Sequence, residues 1–200
     1  MTDDRAVLFD LGNVLVGLDV NMFWRSLGFD GPEAIAPYAG ALRAWARRYE
    51  SGEFATIDFV DGLGTILDGR FTPEALVEAF DQIIREPIDG MAEIVARVSA
   101  RHRTALVSNT NELHHHGSVR RVPALRHLHR HYVSYQLKVM KPGREFYEAI
   151  IRDQQLQPER MVFIDDLEEN VNGAVDAGLR GIKFVDAASL EKDLAALTIL

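Results

Sequence analysis

The feature that most constrains this chain is a set of short apolar runs, each ending in polar residues. Residues 6–9, 104–107, 161–164 and 181–185 are apolar without alternating with polar side chains. That is the pattern of strands buried on both faces of a parallel sheet. A fifth run, 132–139, is rich in β-branched and aromatic residues and reads as a further strand. Between the runs lie helical patterns. Residues 91–101 place Ile94, Val95 and Val98 on one face, and residues 170–178 group Val171, Ala174 and Val175 ahead of Gly178, a left-handed cap. Pro142 suits the first turn of a helix carrying Phe146, Tyr147, Ile150 and Ile151. Strands alternating with helices predict an α/β fold, a doubly wound, mostly parallel, Rossmann-like sheet.

One segment breaks the alternation. From Asn21 to Glu86 the patterns are helical, with Trp45 and Tyr49 one turn apart as core residues and a helix start at Thr72-Pro73. The expected organisation is a core of residues 1–15 plus 88–200, with residues 16–87 inserted after the first strand as a small, mostly helical cap.

Composition narrows the function. The formal charge of -8 disfavours a polyanionic partner, so no nucleic acid is expected, and the basic stretch Arg120 to Arg130 reads as a solvated loop face. The absence of cysteine excludes a thiolate zinc site and a disulfide scaffold. No apolar run approaches the roughly 20 residues that cross a bilayer, and the acidic start does not resemble a signal peptide. The expectation is a cytoplasmic protein with no membrane partner. Oligomeric state has no readable signal.

In open α/β sheets, ligands bind at the carboxyl ends of the strands. Here those ends read Phe9-Asp10-Leu11-Gly12-Asn13, Val107-Ser108-Asn109-Thr110 and Ile164-Asp165-Asp166, with Lys141-Pro142 after the fifth run. An Asp at one strand end is usually a turn residue, and Ser-Asn-Thr is usually loop chemistry. Together, in this order, they suit a divalent cation beside a phosphate. Asp10 can attack phosphorus, provided the phosphate's charge is neutralised first. Magnesium held by Asp10, Asp165 and Asp166 would do part of this and the Lys141 ammonium the rest. Ser108 and the side or main chain of Asn109 would donate to phosphate oxygens, with help from a helix start after Ser108.

Asp10-Leu11-Gly12-Asn13-Val14, Ser108-Asn109-Thr110, Lys141-Pro142 and Phe163-Ile164-Asp165-Asp166 resemble the four signature motifs of the haloacid dehalogenase superfamily. Within it the wording is similar to small bacterial phosphatases acting on α-D-glucose 1-phosphate. The resemblance implies that Asp10 becomes an aspartyl-phosphate and that Ser108 and Asn109 hold the phosphate. It implies that Lys141 steadies nucleophile and phosphate. Asp166 would be the main metal ligand, with Asp165 beside it and the Gly12 carbonyl as another. The expected substrate is a small phosphorylated metabolite.

One position departs from the pattern. Most phosphatases of the superfamily carry a second Asp two residues after the nucleophile, as acid and base; here it is Gly12. Losing such a group costs on the order of a hundredfold to ten-thousandfold. Esters with good leaving groups, such as sugar 1-phosphates and aryl phosphates, should then outperform sugar 6-phosphates and alkyl phosphates. Asp19 and, behind it, Glu53 are the candidates for the missing base. Two rival readings share the fold. A dehalogenase works without metal and gains nothing from paired carboxylates, and a silent binding protein leaves the retained motifs unexplained. His114-His115-His116 reads as a solvated helix start, and His127, His129 and His131 as non-ligating.

Overall fold

The computed structural model describes residues 5–200. In chain order, β1 (Ala6–Phe9) and β2 (Val16–Leu18) precede four helices, α1 (Asn21–Ser26), α2 (Pro32–Glu50), α3 (Thr56–Ile66) and α4 (Pro73–Asp81). Then come β3 (Ile84–Pro87), α5 (Met91–Ser99), β4 (Arg103–Ser108), α6 (Glu112–Arg121), β5 (Arg130–Val133) and the single turn α7 (Ser134–Leu137). The chain ends with α8 (Arg144–Gln154), β6 (Met161–Asp165), α9 (Glu168–Asp176), β7 (Arg180–Lys183) and α10 (Ala187–Ala196).

Five strands form one parallel sheet in the order β5-β4-β1-β6-β7. All four residues of β1 are buried, because the sheet is covered on both faces. Val7, Phe9, Leu106, Val162 and Ile164 pack against α5 and α10. Their neighbours Ala6, Leu8, Ala105, Val107 and Phe163 pack against α8 and α9 on the opposite side. Successive side chains point to opposite faces, so a strand between two helical layers must be apolar throughout. Each of the Val, Leu, Ile and Phe side chains contributes roughly 1.5–3 kcal/mol of burial.

The central position of β1 sets up the site. Phe9 stands opposite Leu106 of β4 and Ile164 of β6, and the Asp10 amide donates to the Ile164 carbonyl at 2.9 Å. The carboxyl ends of three adjacent strands therefore lie side by side, roughly 4.8 Å apart. The strand order reverses direction there, which leaves a crevice.

Helices α1–α4 gather around an apolar cluster of their own, built on Phe23, Trp24, Phe59, Leu63 and Phe80. Tyr49 stacks on Phe59 with centroids 4.2 Å apart, so the expected cap-core role of the aromatic pair fits its surroundings. One feature departs from the sequence reading of residues 16–87. β2 and β3 pair antiparallel, apart from the main sheet, where the chain leaves and rejoins the core. They have three and four residues, too few for a period to show. The run 132–139 is also not one strand. Val133 ends β5, and the Ser134 hydroxyl bonds to Thr110 and Glu50, which turns the chain into α7. Gly178 is left-handed, as its place after the helix suggested, whereas α8 begins at Arg144 with Gly143, not Pro142, at its start. Among the described residues, no helix is long and apolar enough to cross a membrane.

Candidate active site

Lys141 is the hub. Its side chain is almost wholly buried, and its ammonium donates to Asp10 Oδ1 at 2.8 Å, Asp165 Oδ2 at 2.6 Å and the Val107 carbonyl at 3.0 Å. A buried lysine persists only where charge and hydrogen bonds are both satisfied. Asp165 is satisfied in turn. Oδ1 accepts from the Leu167 amide at 2.8 Å, and the Asn170 side chain reaches both oxygens, at 3.0 and 3.1 Å. Burial pushes the Asp10 carboxyl up to about 6, against the pull of Lys141 and with the Asp165 charge adding to the rise.

Asp10, Asp165 and Asp166 each bring one carboxylate oxygen within 4.8 Å of the others. Three carboxylates against one ammonium leave a surplus of negative charge on a set of hard oxygen donors, which fits a magnesium ion. Asp165 is already committed to Lys141 and Asn170. Asp166 is half-buried and accepts from Asn13 Nδ2 at 3.1 Å through one oxygen alone. Asp10 and Asp166 thus keep more oxygen lone pairs available to a cation, with the Gly12 carbonyl on the same loop as Asp10.

Ser108 is buried beside this centre at the end of β4. Asn109 differs from expectation. Its side-chain amide donates to the Lys141 carbonyl at 2.9 Å, and its oxygen accepts from the Lys141 amide at 2.9 Å. Its main-chain N–H is the group left for a phosphate oxygen. No helix starts directly after Ser108 either, because Asn111 caps α6 through the His114 amide and the Thr110 amide donates to Ser134 Oγ.

A cavity of about 620 Å³ separates these strand ends from the cap. Gly12, Ser108 and Asn109 line its core side, and Arg43, Arg47 and Glu50 of α2 its cap side. A Cβ on Gly12 would stand 2.4 Å from Leu18 Cδ1, so a leucine methyl fills the space of the expected second acid. Asp19 and Glu53, the proposed substitutes, do not line the cavity. Asp19 accepts from the Asn21 amide at the start of α1, and Glu53 is paired with Arg48 at 2.7 Å. The sequence reading missed the α2 face; Arg43, Arg47 and Glu50 are spaced four and three apart, which is a single helical stripe.

The cap is tied to the core mainly through α6 and its neighbours. Thr56 donates to Glu112, the Leu113 amide donates to the Tyr49 hydroxyl at 3.4 Å, and Arg121 forks onto Asp81 at 2.8 Å. The expectation of a solvated histidine run fails here. His114 and His115 are buried, because His114 stacks on Phe80 and bonds to the Phe80 carbonyl at 2.9 Å. Burial holds both below the usual histidine range, at about 4, so they are neutral. His115 also meets His131 and Tyr135, at 2.9 and 3.1 Å, while His129 bonds to Thr104.

The family model of haloacid dehalogenase-like hydrolases matches residues 5–178. The chain belongs to that family. D-ribitol-5-phosphate phosphatase of Bacteroides thetaiotaomicron is 22% identical over 96% of this chain and 98% of its own length. Flavin mononucleotide hydrolase 1 of Arabidopsis thaliana is 41% identical, but over 30% of this chain and only 24% of that protein. A HAD family enzyme of B. thetaiotaomicron has the same fold, with a TM-score of 0.84 at 22% identity, covering 92% of this chain and 94% of its own. Its complex with magnesium and inorganic phosphate aligns at a TM-score of 0.78 and 20% identity, over 92% of this chain and 95% of that one.

Proposed function

We propose that the protein is a magnesium-dependent phosphatase that hydrolyses a small phosphate ester through an aspartyl-phosphate on Asp10. The observation that carries this reading is the Asp10–Lys141–Asp165 arrangement with Asp166 close by. A cation there, held by Asp10, Asp166 and the Gly12 carbonyl, would neutralise phosphate charge. Lys141 keeps the attacking carboxylate fixed and adds the remaining positive charge. Ser108 and the Asn109 main chain orient the phosphate oxygens, while the cap excludes bulk water. A small phosphorylated metabolite suits the cavity's size, and Arg43 and Arg47 favour an anion entering it.

A metal-independent dehalogenase is the weaker alternative, since it leaves the surplus charge of the three carboxylates uncompensated. A silent binding protein leaves the buried, fully bonded lysine without a task. The gap at Gly12 would favour sugar 1-phosphates, unless another side chain of the cavity supplies the proton. The relative named for D-ribitol 5-phosphate is matched to the ester of a primary alcohol, a poor leaving group, which supports such a donor.

The test is phosphate release from p-nitrophenyl phosphate and a panel of sugar phosphates with magnesium and with EDTA. The expected outcome is metal-dependent release by the wild type and none by Asp10→Asn, which keeps the size and removes the nucleophilic charge. Release that persists in Asp10→Asn, or that ignores EDTA, would overturn the proposal.

A further inference from the structure

We propose that Glu50 is the proton-transfer residue of this site: its carboxyl protonates the leaving oxygen, and its carboxylate then takes a proton from the attacking water. The inference rests on the phosphatase reading and supplies what Gly12 removes. In the first step an Asp10 oxygen bonds to phosphorus, the ester P–O bond breaks, and the Glu50 proton passes to the departing alcohol. In the second, a water oxygen bonds to phosphorus as its proton returns to Glu50, and Asp10 leaves as a carboxylate. Ester and water become alcohol and phosphate, and Glu50 ends as it began.

Position is the first argument. Glu50 is the last residue of α2 and the only carboxyl among the described residues lining the cavity, opposite Gly12 and Asn109. Its place is fixed from the core side. Ser134 Oγ donates to the Glu50 carbonyl at 2.7 Å and accepts from the Thr110 amide at 2.9 Å, two residues beyond Ser108. One hydroxyl thus sets the distance between the phosphate-binding turn and the end of α2. The adjacent Tyr49 hydroxyl accepts from the Leu113 amide, which anchors the same helix end a second time.

The second argument is what the carboxyl lacks. Glu50 forms no ion pair and its side chain no hydrogen bond among the described residues, whereas Asp19 and Glu53 are both engaged. A carboxylate kept for structure is normally paired when enclosed. The groups facing the cavity around it are Arg43 and Arg47 on its own helix, neutral His114 from α6, and the uncharged Ser108 and Asn109. Burial pushes the carboxyl up to about 7, opposed by the Arg47 charge, so near neutrality both protonation states are populated. A group that donates a proton and then takes one back works best in that range. The residue is half-buried yet open to the cavity, which lets a substrate oxygen reach it.

The experiment compares wild type, Glu50→Gln and Glu50→Asp on D-ribitol 5-phosphate, whose alkoxide needs a proton, and on p-nitrophenyl phosphate, whose phenolate does not. For Glu50→Gln, kcat/KM on the alkyl ester should fall by about a hundredfold to ten-thousandfold and on the aryl ester by less than tenfold. With the aryl ester, kcat should also fall, and a burst of about one nitrophenolate per enzyme should leave phosphate on Asp10, visible by mass spectrometry after acid quench. Glu50→Asp should recover part of the alkyl activity. The decline of wild-type activity on the alkyl ester above about pH 7 should vanish in Glu50→Gln. Equal losses on both esters, or no loss on either, would overturn the role of Glu50 while leaving the phosphatase reading intact. A wild type that releases phosphate from neither ester would overturn both.

Discussion

Asn109 holds Lys141 by its backbone, donating to its carbonyl and accepting from its amide, both at 2.9 Å. The two ends of the turn after β4 and the loop after α7 are thereby locked together, and the Lys141 ammonium is aimed at Asp10. Asn109→Ala removes both bonds at once. Stability should fall by about 2 kcal/mol, at about 1 kcal/mol for each bond. Turnover should fall by about tenfold to a hundredfold as Lys141 loosens. Chemical denaturation and steady-state kinetics check the two halves; intact activity would mean that Asp10 and Asp165 hold the ammonium unaided.

Magnesium should raise the melting temperature of the wild type, because a cation that binds only the folded state stabilises it by mass action. Asp166→Ala should abolish most of that rise while leaving the metal-free melting temperature within a few degrees, since Asp166 accepts a single hydrogen bond from Asn13. Calorimetric scans with and without the ion decide it. An equal shift in both proteins would place the cation elsewhere.

The Glu50 carboxyl also makes a prediction about stability. Its folded value is raised from 4.5 to about 7, so the folded state holds its proton more tightly than the unfolded chain does. The contribution is therefore neutral below 4.5 and increasingly unfavourable as pH rises toward 7. Glu50→Gln removes it. The variant should match the wild type at pH 4 and melt higher at pH 8; Asp10, also raised, contributes equally to both proteins and cancels. Parallel melting curves across that range would show a carboxyl in ordinary contact with water.

Restoring the missing acid is a separate test. Gly12→Asp requires the exposed Leu18 side chain to move, because a Cβ there lies 2.4 Å from Leu18 Cδ1. Combined with Leu18→Ala in the Glu50→Gln background, it should recover at least about tenfold of the lost alkyl-phosphate activity. No recovery would mean that the space beside Asp10 does not meet the leaving oxygen.

The sheet was legible because its strands are apolar on both faces, and residues 6–9 could hardly be anything else once helical patterns surrounded them. That Asp10, Lys141 and Asp165 meet was legible for the same reason, since strand ends and the turns beside them converge in such a fold. What escaped depends on how distant pieces meet. For Asn109 the choice between side and main chain stayed open, because nothing in its neighbours reveals that Lys141 claims its side chain. His114 looked solvated because its partner is Phe80, on another helix. Glu50 carried no local signal beyond its place on the helical stripe of Arg43 and Arg47. Its relevance comes from where α2 ends relative to Gly12, which the Ser134 hydroxyl fixes.

That hydroxyl has a mechanical consequence. Immediately beyond the Ser108-Asn109 turn, the Thr110 and Leu113 amides donate to the Ser134 and Tyr49 hydroxyls, and Glu112 accepts from Thr56. The inserted helices and the Ser108-Asn109 turn therefore share a single stretch of backbone. On the proposed phosphatase reading, any movement of the helices α2 and α3 would be felt at the turn that receives the phosphate, through these bonds. Opening of the chamber would then be coupled to departure of the anion held at that turn.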